Sequence, residues 1–198
     1  WWRELNRLTN AIQASDEGND LKRFELSLEV THHEPWLSSP SLFIEVGSTA
    51  ETWHHQGAAD LLAGIIYSGL ALDGGSGFGH WEESKNSGEL VVITLGGGHY
   101  APRGNLIGLN EGAWLGHMLA NYALPFLPPE SEGEPVRGQW KNSIDAAINS
   151  TKKSFPGGKI VFSWDKKSFK GWQRQAIRDR AAELSIPLLN SKSIIEML

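Results

Sequence analysis

Apolar residues recur along this chain with two different periods, and the switching between them predicts helices interleaved with strands. Trp1, Leu5, Leu8 and Ile12 fall three and four residues apart, the spacing of an amphipathic helix over 1–14 that ends in the polar stretch Ser15 to Asp20. Phe24, Leu26, Leu28 and Val30 alternate with Glu25, Ser27 and Glu29, which predicts a half-buried strand. A second strand is predicted over Ser41 to Ser48, with Glu45 inside its apolar run, and then a helix over about 50–71 capped by Thr49. The stripe of that helix is Trp53, Ala58, Leu61, Leu62, Ile65, Ile66 and Leu70.

A Gly/Ser-rich loop over 73–88 precedes Glu89 to Thr94, whose β-branched run bounded by glycines reads as a buried strand. A short helix is predicted near Glu111 to Tyr122, followed over 124–138 by an acidic, proline-rich loop. Trp140, Ile144, Ala147 and Ile148 mark a helix from Gln139 to Lys153, which Pro156, Gly157 and Gly158 end. Lys159 to Trp164 is a strand, Ser168 to Leu184 a helix, Ile186 to Leu189 a last edge strand and Ser191 to Leu198 a closing helix. Such alternation implies an α/β fold with a largely parallel sheet.

With 198 residues, 40% hydrophobic and 21% charged, the expectation is a single α/β domain over 1–198. The chain opens inside a helical pattern without an initiator Met, so it is read as the C-terminal part of a longer protein. No apolar run reaches membrane-spanning length and no secretory segment is present, which predicts a cytoplasmic protein with no membrane partner. Cysteine is absent, so disulfides and thiolate metal sites are excluded and any metal must sit on His and carboxylate.

Net charge is −5, but it is unevenly spread: residues 1–149 carry 8 Lys and Arg against 19 Asp and Glu, whereas 150–198 carry 10 against 4. A basic last quarter on an acidic body suits one face meeting phosphate, or simply a solvated lysine-rich helix. Lys166, Lys167 and Lys170 stand at a strand end and helix start, with Arg174, Arg178 and Arg180 along the helix, a placement that suits a polyanion.

The chemistry concentrates in Leu95-Gly96-Gly97-Gly98-His99-Tyr100-Ala101-Pro102-Arg103, at the C-terminal end of the predicted central strand. Glycines remove β-carbons where the chain turns and where a ligand meets bare amides, and this end of the strands is where open α/β sheets bind ligands. Thr31-His32-His33-Glu34-Pro35 follows another predicted strand, so His32, His33 and His99 can converge. Glu45 then either positions one of these rings, acts as the base itself, or faces water from an edge strand. His54 and His55 read as neutral surface residues, and His117 points back toward the sheet or outward.

In order and in register, Val30-Thr31-His32-His33, Pro40 to Ser48, Gly96 to Arg103, Trp114-Leu115-Gly116-His117 and Asp165 to Trp172 resemble the D-aminoacyl-tRNA deacylases of archaeal and plant type over nearly the whole chain. Glu34 stands where that family usually has glycine, and family members continue on the N-terminal side with a further segment. The resemblance implies a three-layer α/β sandwich, mixed and largely parallel, similar to peptidyl-tRNA hydrolase and the nucleoside phosphorylases. It implies hydrolysis of the ester between a D-amino acid and the terminal ribose of tRNA, and an association with zinc.

On that reading His32, His33, Glu45 and His99 are the catalytic set. Gly96, Gly97, Gly98, Tyr100, Arg103 and His117 meet substrate, with the Gly97 and Gly98 amides facing the oxyanion or crowding an L side chain. Arg103, Lys166, Lys167, Lys170 and Arg174 hold the tRNA acceptor end, and the protein acts as a monomer. Zinc would sit on His32, His33 and His99; because no short ligand motif such as HExxH is present, an unassisted His base stays open beside it. An RNA-binding module or inactive relative is the alternative, and a small-molecule hydrolase or phosphorylase on the same fold a third.

Overall fold

The computed structural model describes residues 1–15, 19–30, 41–47, 49–131 and 133–198, which divide into two compact units. The first draws on Trp1–Leu26 and Pro35–His80, the second on Ser27–Glu34 and Trp81–Leu198.

In the first unit, helix α1 (Trp2–Gln13) packs on a 3₁₀ turn at Asn19–Arg23 and on α2 (Gln56–Gly69). Trp1 lies so close over Gly69 that a β-carbon there would stand 2.5 Å from the indole, and its ring meets Phe78 at 5.0 Å. Helix α2 starts later than the apolar stripe predicts, because its cap is His55 and not Thr49. The His55 Nδ1 accepts from the Ala58 amide at 3.1 Å, and its Nε2 lies 2.9 Å from Asp20. That ring, expected at the surface, is 8% exposed and supplies one of the acceptors a helix start lacks. Thr49 bonds instead with Thr52 and the Glu51 amide in a preceding turn.

Neither strand predicted before α2 forms. Residues 41–47 carry no regular secondary structure, and 24–30 contributes a single bridge, Glu29 against Tyr100. Burial still alternates from exposed Glu25 and Ser27 to half-buried Leu26 and Leu28, so the period reports which side is covered and not strand pairing.

The second unit begins with the short helix α3 (Glu83–Asn86), inside the stretch expected as loop. It continues through β1 (Leu90–Leu95), α4 (Pro102–Gly108), β2 (Ala113–Leu119), β3 (Phe126–Leu127), β4 (Arg137–Gly138), α5 (Trp140–Ser154), β5 (Lys159–Trp164), α6 (Gly171–Glu183), β6 (Leu188–Leu189) and α7 (Ser191–Ile195). Four parallel strands make a sheet in the order β2-β1-β5-β6, and β3 with β4 close the acidic loop as a two-stranded ribbon. The helix predicted near Glu111 to Tyr122 is therefore a strand. Trp114, Leu115, Met118 and Leu119 sit at helical spacing, but a short apolar run fits either element, and pairing with β1 decides it. Gly116 permits the result: a β-carbon there would stand 2.7 Å from the Thr151 hydroxyl of α5.

Alternate residues of the central strands face two cores. Val92 and Val161 pack with Ile107 of α4 and Ile194 of α7, while Ile93, Leu95 and Phe162 pack with Ile144 and Ile148 of α5 and Ile177 of α6. Helices thus cover both faces, as the three-layer expectation requires. Because β1 leads outward to β2 on one side and β5 leads outward to β6 on the other, the strand order reverses between β1 and β5. A crevice opens at such a reversal, beyond the carboxyl ends of the two strands.

Candidate active site

Leu95 and Trp164 pair at the last position of β1 and β5, so the glycine turn and the lysine loop leave the sheet side by side. Gly96 and Gly97 adopt φ of +84° and +91°, the left-handed region open to glycine. A β-carbon on Gly96 would stand 2.6 Å from the Phe169 ring, whereas at Gly97 and Gly98 nothing lies within 4 Å. The bend is pinned from two sides: Gly97 accepts from the Asn121 amide at 2.9 Å and donates its own N–H to the Ser168 hydroxyl at 2.9 Å. The Gly97 amide is thereby committed to Ser168 and does not face an oxyanion. Gly98, exposed and with no hydrogen bond to its amide among the described residues, is left for that role.

His99 follows directly, and its Nε2 lies 3.1 Å from Glu29 Oε1, both side chains being partly exposed. The backbone holds them together, since the Val30 amide donates to the His99 carbonyl and the Ala101 amide to the Leu28 carbonyl, each at 3.0 Å. Nε2 is thus the ring nitrogen turned toward the carboxylate, and Nδ1 the one on the far side of the ring. Glu29 was legible only as the polar position of an alternating segment. The carboxylate expected in this role, Glu45, is exposed on the unpaired 41–47 segment of the first unit, where it lines a shallow groove with Leu5, Thr9 and Leu61. His32, His33 and Glu34 lie outside the described residues.

Arg103, expected to hold phosphate, is ion-paired with Asp165 at 2.8 Å across the crevice. Partial burial would push the Asp165 carboxyl up, but hydrogen bonds from Arg103 and Ser168, the Arg103 charge and the Lys167 amide outweigh it and hold it below the usual carboxylate range. Arg174 likewise spends a donor on the Phe169 carbonyl at 2.7 Å, bracing the loop. The cations that remain exposed are Lys166 and Lys167, on a 3₁₀ turn at Lys166–Ser168, and Lys170 at the start of α6; none forms an ion pair among the described residues. Tyr100 is exposed and stands edge-on to His99 at 5.0 Å.

His117 lies within β2, half-buried, and its ring makes no hydrogen bond or ion pair to His99 or any other described residue. Burial pushes its ring down, below the ordinary His value. An unfolded chain takes up this proton near pH 6.5 while the folded one resists it, so the stability His117 confers is complete above about pH 6.5 and is lost as pH falls through the lower folded value. His117→Gln is expected to flatten the fall in urea midpoint on acidification below pH 6.5. A slope identical to that of the unaltered protein would show that His117 is not buried as described.

Among the described residues no three His, Asp or Glu converge as metal ligands. His99 and Glu29 are only two donors, so they do not fit zinc by themselves; the further donors expected, His32 and His33, fall outside the described residues. No described helix is long and apolar enough to cross a membrane.

The family model of D-aminoacyl-tRNA deacylase matches residues 3–189. Over 191 residues the chain is 42% identical to the D-aminoacyl-tRNA deacylase of Arabidopsis thaliana, covering 94% of this chain and 58% of that one. With the deacylase of Pyrococcus abyssi it shares 33% identity over 180 residues, covering 90% and 56%. A crystal structure of a conserved protein of unknown function has the same fold, with a TM-score of 0.64 at 24% identity over 98% of this chain and 57% of that one. The chain thus spans less than two thirds of the length of these relatives.

Proposed function

This chain belongs to the D-aminoacyl-tRNA deacylase family, and from that premise we propose that it supplies the hydrolytic and RNA-facing groups for cleaving a D-amino acid from tRNA. The observation that carries the proposal is the His99–Glu29 pair standing beside an open, side-chain-free bend at the strand-order reversal. An aminoacyl ester is already activated, so hydrolysis needs a positioned water, a base and an oxyanion donor, and no covalent nucleophile. Nδ1 of His99 takes a proton as water attacks the carbonyl carbon, and Glu29 balances the charge on the ring. The Gly98 amide donates to the oxyanion; as the ester C–O bond breaks, the imidazolium returns the proton to the ribose oxygen. Lys166, Lys167 and Lys170 supply phosphate contacts beside it, on the side of β5.

The test is release of amino acid from tRNA charged with either enantiomer. Release from the D form and not from the L form is expected; equal release from both, or from neither, overturns the proposal. Replacing Lys166, Lys167 and Lys170 together by Ala is expected to make the dependence of log Kd for tRNA on log salt shallower by roughly 2 units, as for three lost phosphate contacts. An unchanged slope would place the RNA elsewhere. Zinc on His32, His33 and His99, which the family resemblance implies, is the alternative to this unassisted base, and elemental analysis of the purified protein checks it.

A further inference from the structure

The glycine bend is bordered by more than catalytic groups. Tyr100 and Tyr122 are each 61% exposed, and neither hydroxyl makes a hydrogen bond among the described residues. Both are tied to the same point in the chain. Tyr100 stands three residues beyond Gly97, and Tyr122 directly follows Asn121, whose amide donates to the Gly97 carbonyl. Lys167 precedes Ser168, whose hydroxyl accepts from the Gly97 amide. With consecutive Cα atoms about 3.8 Å apart, both tyrosines start within about 11 Å of Gly97, the span of two or three nucleotides.

The bend itself is bare, since nothing stands within 4 Å of a β-carbon position at Gly97 or Gly98. The Asp165 carboxylate does not repel an anion freely, because it is ion-paired with Arg103. Exposed aromatic rings beside an open bend, next to lysines with no ion pair among the described residues, are the features with which proteins hold unpaired nucleic acid. Along a duplex the base faces are stacked on one another and only the terminal pair offers an open one, whereas an unpaired tail offers a face at each nucleotide.

We propose that Tyr100 and Tyr122 form a stacking platform for the unpaired nucleotides at the 3′ end of an RNA, so that the site selects a single-stranded terminus over a duplex end. The inference rests on the reading of this site as one that meets the tRNA acceptor end, and adds the recognition by which that end is chosen. The lysines then give affinity for any RNA, while the tyrosines decide which part of it enters.

The experiment compares binding of two uncharged RNA hairpins, one blunt and one with a four-nucleotide unpaired 3′ tail, to the protein and to its tyrosine variants. The tailed hairpin is expected to bind at least tenfold more tightly. Tyr100→Phe and Tyr122→Phe should preserve that preference, because the ring face is kept, while Tyr100→Ala with Tyr122→Ala should abolish it and leave the salt dependence unchanged. Equal binding of the two hairpins by the unaltered protein, or a preference that survives the double Ala variant, overturns the platform. Circular dichroism on each variant confirms that the fold is retained. Deacylation of charged tRNA is read separately, so loss of the platform with turnover intact is distinct from absence of turnover.

Discussion

His99→Ala is expected to lower the deacylation rate by about 10²- to 10⁴-fold, the contribution of a positioned general base, while leaving the unfolding midpoint within experimental error. The side chain is 40% exposed and packs in none of the cores, so its removal costs little stability. Glu29→Gln keeps the shape of the side chain beside the ring but removes its charge. Because the pair is partly exposed, water substitutes in part, and a loss of roughly tenfold is expected. Single-turnover assays across pH 5 to 8 separate the two. Full activity of His99→Ala would remove this pair from the reaction.

Gly96→Val is expected to cost about 2–5 kcal/mol of folding stability, from a left-handed backbone on a β-branched residue and from overpacking against Phe169. The turn has φ +84° and no space for a β-carbon, whose nearest neighbour would be the Phe169 ring at 2.6 Å. That cost is a large share of a typical domain's 5–15 kcal/mol, so the variant unfolds at markedly lower denaturant. Gly98→Ala, two positions away, is the control: its φ is not positive and nothing crowds it, so its midpoint should stay within about 0.5 kcal/mol of the parent. If the two variants are equally stable, Phe169 does not close over the turn as described.

The central layer was legible because its signals agree. In Glu89 to Gly98, β-branched residues, a run too short for a helix and a glycine stop all point to one element, and Lys159 to Trp164 repeats them. Where signals conflict, tertiary contact decides. Trp114 to Leu119 carries Leu, Met and a helical spacing, yet it is a strand because β1 offers a ladder and Gly116 allows α5 to approach. Phe24 to Val30 alternates like a strand but, among the described residues, forms a single bridge.

The candidate site was half legible for the same reason. Local features announced Gly96, Gly97, Gly98, His99 and the lysines. Partners distant in the chain did not announce themselves: Glu29 reaches His99 across 70 positions, Asp165 reaches Arg103 across 62, and Ser168 reaches Gly97 across 71. Nothing in composition distinguishes Glu29 from Glu45 before folding, and the apolar neighbours of Glu45 made it the more conspicuous carboxylate. Arg103 and Arg174 show the converse, side chains whose charge suggested a ligand and which each also bond the protein itself.

The segment that carries Glu29 belongs by its contacts to the second unit, although the chain on both sides of it runs through the first. Dissecting the molecule at the obvious seam, near Trp81, would therefore keep the entire parallel sheet, the glycine bend and His99, yet discard the acid that His99 depends on. A truncated product of that kind could be well behaved and inert at once. Supplying residues 27–30 in trans as a synthetic peptide, or splicing them ahead of Trp81 by circular rearrangement, is the route by which such a minimal version would recover the charge beside His99.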